Sequence, residues 1–408
     1  MIDRSFYNWI INCVTFYYQK ANNRKRDKNI WAFSSWEGNK YSDNSRYFFE
    51  YVNNNYKHIR CIWFTSRKDV FLDLKLNGYE VYLLGTKESK EMQSKAGVCF
   101  YTNGLDDFGI KPYIYGALIV SLWHGVSFKK IYGSDNSYKY SWLQLKLRIL
   151  KNRLFSFVFR DVTMTTSHYM MEKCIEQFYL KHNNNNIYIT GQPRNDILIK
   201  KIELDDVFKN KQIINSIGNC KLITYMPTWQ SFNNQEELLK LLDFLDEDND
   251  FNILLRNKNY KFAIKLHYLA NLPKCNFKNL ILLEDDVVMC TQKLLSVTDV
   301  LITDYSSVFS DFALINRPII FFRPNDNTYL KVADLYDDYS KVCNINVATN
   351  TRDLQTMLEG ILNGSYNYAK QNEVINSYFS DNTTILGCYC ENVYKVIEKI
   401  LRNKGWIS

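Results

Sequence analysis

Eleven short runs of β-branched and aromatic residues, separated by helical or turn-forming stretches, constrain this chain more than any other feature. The first series is Asn29–Ser34, Ile59–Thr65, Tyr79–Leu84, Ala117–Trp123, Val162–Thr166 and Ile187–Thr190. The second is Lys221–Met226, Lys261–His267, Leu280–Leu283, Asp299–Thr303 and Pro318–Phe322. Most are apolar throughout rather than alternating, as strands buried on both faces are, and they alternate with helical segments such as Gln235–Leu245 and Val308–Asn316. The pattern predicts an α/β protein with two doubly wound domains, 31–200 and 216–380, divided by the charged stretch Leu198–Ser216. They are flanked by a basic amphipathic segment, 1–30, and a C-terminal helix, 381–408. A chain of 408 residues is long enough for two such cores. In open sheets of this kind ligands bind beyond the carboxyl ends of the strands, so with two facing domains the cleft between them is the expected site.

Charge narrows the choice of partner. The net charge is +8, and it is concentrated. Residues 1–30 hold six basic residues against Asp3 and Asp27, and residues 123–160 hold eight against Asp135 alone. Both segments are also aromatic and apolar. Phe6–Tyr18 is too short to span a bilayer, which takes about 20 residues. Tyr138–Arg160 places Leu145, Ile149 and Leu154 near helical spacing among Lys146, Lys151 and Arg153. That suits a helix lying in the interface of an anionic membrane, and equally a helix with one core face and one solvated basic face. Nucleic acid is not expected as a partner, because no RNP-like or zinc-finger pattern accompanies the charge. The ten cysteines form no C-x-x-C pair and no cleavable leader is legible, so reduced thiols in a cytoplasmic protein are expected.

Five short polar segments each follow a predicted strand, which is where this architecture places its chemistry. His124 and Gly125 follow Trp123. Thr190–Asp196, "TGQPRND", follows the strand at Ile187. Met226–Gln230, "MPTWQ", brings Thr228. His267 closes "KLH", with Lys265 two residues earlier on the same face. Thr303–Phe312, "TDYSSVFSDF", runs from a strand end at Asp304 into a helix near Ser307. There Ser306 and Ser307 could cap the helix, and its free amides could hold a phosphate. His124 and His267, one per predicted domain, are candidates for proton transfer or phosphate contact. No H-E-x-x-H, H-x-x-x-H or zinc-ligand spacing argues for a metal, and no Walker A, G-x-G-x-x-G or G-x-S-x-G element is present. The acidic pairs, Asp106-Asp107 among them, fall mostly in predicted loops or helix starts.

These segments in this order, "WHG…KKI", "GQPRNDIL", "MPTW", "KLH" and "DYSSVFSDFALINRPIIFF", resemble the CDP-glycerol glycerophosphotransferase family, the primases and polymerases of teichoic acids and related bacterial capsules. "GNKYSDNSRYFFEY", Gly38–Tyr51, resembles its N-terminal signature. The likeness covers roughly residues 30–340. Val126 and Ser127 replace the Thr-Pro that often follows Trp-His-Gly, Gln230 replaces an Arg, and Tyr268 replaces a Pro.

The resemblance implies a GT-B-like pair of Rossmann domains and peripheral association with the cytoplasmic face of the bacterial membrane, with no cofactor and no metal. It implies transfer of a polyol phosphate from CDP-glycerol or CDP-ribitol to a hydroxyl of a lipid-linked or polymer acceptor, releasing CMP. His124 is then expected as the base, with His267, Ser306, Ser307, Thr228 and Arg194 meeting the charge on the phosphates. Lys265 and Asp304 join the donor side, and Arg194, Asn195, Asp196 and Gly125 the acceptor or positioning side. The rivals are a GT-B glycosyltransferase using a sugar nucleotide and a non-catalytic scaffold at the membrane surface.

Overall fold

The computed structural model describes residues 26–109, 113–126, 130, 161–178, 186–228, 241, 245, 249–265, 279–284, 287–288, 290–324, 335–336, 341–342 and 344–407. The predicted helix near 138–160, most of the segment 1–30, most of Gln235–Leu245, and His267 lie outside them. The described residues form an α/β architecture with two parallel sheets, and the chain divides into two compact units. One holds the described residues up to Gly125, those from 161 to Asp196, and those from Asp381 onward; the other holds Ile197–Ser380 with Val126 and Lys130.

The first unit carries seven strands: β1 (Asp27–Phe33), β2 (Arg60–Thr65), β3 (Val81–Leu83), β4 (Ala96–Tyr101), β5 (Leu118–Ser121), β6 (Val162–Thr165) and β7 (Ile187–Ile189). Their order is β3-β2-β1-β4-β5-β6-β7, so the direction of winding reverses between β1 and β4. β4, the strand beside that switch, is not among the strands legible in the sequence. Its "AGVCFY" begins with two residues of low strand propensity and follows Lys95, the last residue of a helix, without a loop. Gly97 has a steric reason: a Cβ there would sit 2.5 Å from the Asp27 carbonyl oxygen, where β1 and β4 slip register. The aromatic richness of the chain goes largely into this core. Phe33 stacks on Phe100 at 4.7 Å between ring centres, and Trp31 and Phe48 lie 5.3 and 5.1 Å from Phe100. Helix α1 (Asp43–Asn55) buries Tyr47, Phe48, Phe49 and Val52 against the sheet.

The second unit carries β8 (Lys221–Met226), β9 (Tyr260–Lys265), β10 (Leu280–Leu283), β11 (Val300–Thr303), β12 (Ile319–Phe322) and β13 (Val347–Ala348), ordered β10-β9-β8-β11-β12-β13. Its switch falls between β8 and β11. Helix α2 (Val308–Ala313) follows β11 after a short turn, and α3 (Thr351–Leu362) packs Leu354, Leu358 and Leu362 into the core beside Ile302 and Ile320.

The last helix, α4 (Tyr389–Asn403), belongs to the first unit. Tyr394 on it stacks on Tyr56 at 3.7 Å and 9° and lies 5.9 Å from Trp31. Its buried face, Tyr389, Cys390, Val393, Tyr394, Ile397 and Leu401, recurs at the three- and four-residue spacing of an amphipathic helix.

Candidate active site

In the first unit the polar residues predicted at strand ends gather around the end of β5. Trp123 adopts a left-handed φ of 54°, and His124 and Gly125 follow. The His124 ring lies 4.2 Å from the Trp123 ring and 5.8 Å from that of Trp36. Its Nδ1 is buried with no hydrogen-bond partner among the described residues. Burial pushes the pKa of this imidazole below the ordinary histidine value. The Asp43 carboxylate pulls it back up, the Arg194 guanidinium pushes it down, and the Thr102 backbone favours the protonated form. The net direction favours a neutral ring near pH 7, the state that accepts a proton.

Arg194 holds this turn. It sits in the short helical turn Pro193–Ile197 after β7, and its Nη1 donates both to the His124 carbonyl oxygen at 2.5 Å and to Asp43 Oδ1 at 2.9 Å. The ion pair is buried, with side-chain exposures of 10% for Arg194 and 4% for Asp43. Asn44 completes the frame. Its Nδ2 donates to the Trp123 carbonyl at 2.8 Å, and its Oδ1 accepts from the Arg194 amide at 3.1 Å. Trp36 Nε1 donates to Asp43 Oδ2 at 3.1 Å.

Strain concentrates in the same place. Trp36, Glu37, Asp43 and Trp123 all have φ between 51° and 64°, each costing on the order of 1–3 kcal/mol outside glycine. Asp107 holds part of that strained turn. Its carboxylate accepts from the Glu37 amide at 2.7 Å, the Thr102 amide at 2.9 Å and the Asn103 amide at 3.1 Å, bridging the ends of β1 and β4 across the switch. Burial pushes its pKa up to about 6 against those donors. Asp43, Asn44, Trp36 and Asp107 were not assigned from sequence. Asp43 and Asn44 lie within the signature Gly38–Tyr51, and Asp107 belongs to an acidic pair with no motif around it.

Asp196, expected as a positioning residue, is engaged at the start of α4. Its carboxylate accepts from the amides of Gly387, Tyr389 and Cys390 at 3.1, 2.9 and 2.8 Å, and so caps the start of α4. Burial raises its pKa while those amides lower it. Beside it, Gly191 takes φ 74°, and a Cβ there would come within 2.3 Å of the Tyr389 ring. Asn195 is buried in the same turn, its amide donating to the Gln192 carbonyl at 2.9 Å.

In the second unit, residues 304–307 and Thr228 come together at the ends of β11 and β8, on either side of the switch. Asp304 is buried and accepts from the Thr228 amide at 2.9 Å, the Thr228 hydroxyl at 3.0 Å and the Tyr305 amide at 2.5 Å. Its carboxylate thus orders the turn on which the donor-side residues stand. Ser307 is the residue before α2 but makes no side-chain capping bond. Its φ of −66° and ψ of −5° are already helical, whereas capping by a side-chain oxygen takes an extended residue. Ser306 and Ser307 are both half-exposed, and Lys265 ends β9 half-exposed. Arg323, missed from sequence, follows β12, buried with its guanidinium 5.5 Å over the Tyr305 ring. Among the described residues, no cluster of three or more His, Cys, Asp or Glu side chains could hold a metal ion.

Residues 15–398 match the family model described as CDP-Glycerol:Poly(glycerophosphate) glycerophosphotransferase. The teichoic acid poly(glycerol phosphate) polymerase of Bacillus spizizenii is 28% identical over 92% of this chain and 93% of its own length. A teichoic acid poly(ribitol-phosphate) polymerase of the same organism is 27% identical over 68% of this chain, which spans 44% of that relative. The solved wall teichoic acid polymerase TagF superposes with a TM-score of 0.73, at 20% identity, over 97% of this chain and 94% of that one.

Proposed function

The chain belongs to the CDP-glycerol:poly(glycerophosphate) glycerophosphotransferase family, and we propose that it transfers a polyol phosphate, glycerol phosphate first among them, from a CDP-polyol to a hydroxyl of a polymer or lipid-linked acceptor. The observation that carries the reading is the neutral-leaning His124 in the frame of Asp43, Asn44 and Arg194. The acceptor oxygen attacks the phosphorus that bears the polyol, and His124 takes the acceptor proton. The phosphoanhydride P–O bond breaks and its electron pair leaves on CMP. The products are CMP and an acceptor one polyol phosphate longer.

His124 is suited to this because a general base must be unprotonated at working pH and fixed in direction. The buried Arg194 holds its backbone, and Trp36 and Trp123 flank its ring. On the donor side, Ser306, Ser307 and Lys265 offer hydroxyls, amides and a cation to the phosphates, the groups that phosphoryl transfer calls for, and Thr228 borders them, held by Asp304. His267, which lies outside the described residues, is the second imidazole proposed for this side. The protein acts at the cytoplasmic face of the cell membrane, where the basic segments at 1–30 and 123–160 meet anionic lipid. No helix among the described residues is long and apolar enough to cross a membrane.

The test is incubation with CDP-glycerol, CDP-ribitol and UDP-sugars, each with a synthetic lipid-linked acceptor, while CMP and UDP release and product mass are followed. CMP release with one polyol phosphate gained in mass supports the reading. UDP release from a UDP-sugar would establish the glycosyltransferase instead.

A further inference from the structure

The carboxyl ends of β5, β6 and β7 enclose a recess of about 10 Å³ in the first unit, lined by Trp123, Gly125, Met164, Thr166, Met170 and Gln192 among others. That volume takes one oxygen-sized group. Thr166 and Gln192 are 9% and 5% exposed, and the Thr166 hydroxyl and Gln192 Oε1 have no hydrogen-bond partner among the described residues. Buried polar atoms in native proteins are as a rule satisfied, so two on residues that line one recess mark a place for a polar group from outside the chain. Among the described residues no charged side chain lines the recess, which argues for a neutral guest and against a phosphate. A hydroxyl can donate to a carbonyl oxygen and accept from a hydroxyl, which is what Gln192 and Thr166 offer. The buried Met164 and Met170 suit the carbon that bears it.

We propose that this recess is an acceptor subsite: it receives the hydroxyl next to the attacking one on the terminal polyol, with Thr166 and Gln192 as the residues that select for it. The proposal rests on the polyol-phosphate transfer reading above. Gly125 and Trp123 line the recess and are the chain neighbours of His124, so a vicinal diol could place one oxygen in the recess and present the other to the base.

The experiment uses the full chain, CDP-glycerol and two synthetic acceptors, one ending in glycerol phosphate and one in 3-hydroxypropyl phosphate, which lacks the secondary hydroxyl. The wild type should favour the first by about tenfold or more in kcat/KM, because a site built to bond a hydroxyl rejects the analogue without it. Thr166→Val and Gln192→Met should bring that ratio to within about threefold, and Thr166→Ser should keep it. Thermal unfolding and the KM for CDP-glycerol, measured on each variant, separate this from general damage. A wild type indifferent to the hydroxyl overturns the proposal. So do variants that are less stable yet keep the wild-type ratio, since the recess would then hold only a structural water. Absence of CMP release with either acceptor removes the transfer reading itself, whereas release with unchanged discrimination removes only the subsite.

Discussion

Arg194 reaches back 151 positions to pair with Asp43 at 2.9 Å, with both side chains almost wholly buried. Removing one partner of a buried pair strands the other, at about 3–5 kcal/mol. Arg194→Ala is therefore expected to lower stability by about that amount in chemical denaturation. Even where the variant folds, the turn at His124 loses its carbonyl anchor, and a loss of roughly 100-fold in kcat should follow, the scale of a misplaced reacting group.

His124→Ala should lower kcat by about 10²–10⁴-fold while leaving thermal unfolding near that of the wild type. A variant with near-normal turnover would remove His124 from the base role.

The pH profile follows from the direction of the His124 shift. Protonation abolishes the base, and burial lowers the pKa, so the acidic limb of kcat/KM should lie below the usual histidine value near 6.5. Asp43 raises this pKa and Arg194 lowers it. Asp43→Asn should therefore move the limb to lower pH and Arg194→Gln to higher pH. Limbs that move together, or stay put, would show that another group titrates.

Asp196→Ala leaves the amides of Gly387, Tyr389 and Cys390 without their acceptor and should cost about 2–4 kcal/mol, read as an earlier denaturant midpoint. Faster amide exchange should appear first at the start of α4, because the lost bonds are there.

Thr228→Val keeps the amide bond to Asp304 but loses the hydroxyl bond at 3.0 Å. Loosening this turn is expected to raise the KM for CDP-glycerol by about three- to tenfold with a smaller effect on kcat. A larger loss in kcat than in KM would place Thr228 at the reacting phosphorus instead.

Much of the fold was legible because its strands are buried on both faces, and such strands announce themselves as unbroken apolar runs. The strand ends were legible too, since His124, Arg194, Thr228 and Asp304 stand just beyond those runs. β4 was not, because a central strand that must admit a neighbouring backbone at Gly97 loses the bulky residues that mark strands. The capping assigned to Ser307 failed for a local reason: its backbone is already helical, which no residue identity reveals.

By itself, then, the sequence determined the two parallel-sheet units, the family, and the segments in which the chemistry lies, because periodicity and short motifs are properties of neighbouring residues. Tertiary structure alone decided the division of labour among those residues. Asp43, hidden in a signature, became the partner of Arg194, Asp107 the clasp of a strained turn, and Asp196 the cap of a helix that begins at Tyr389. A carboxylate's task is set by which amides and cations the fold brings within about 3 Å, and those donors come from positions up to 194 residues away.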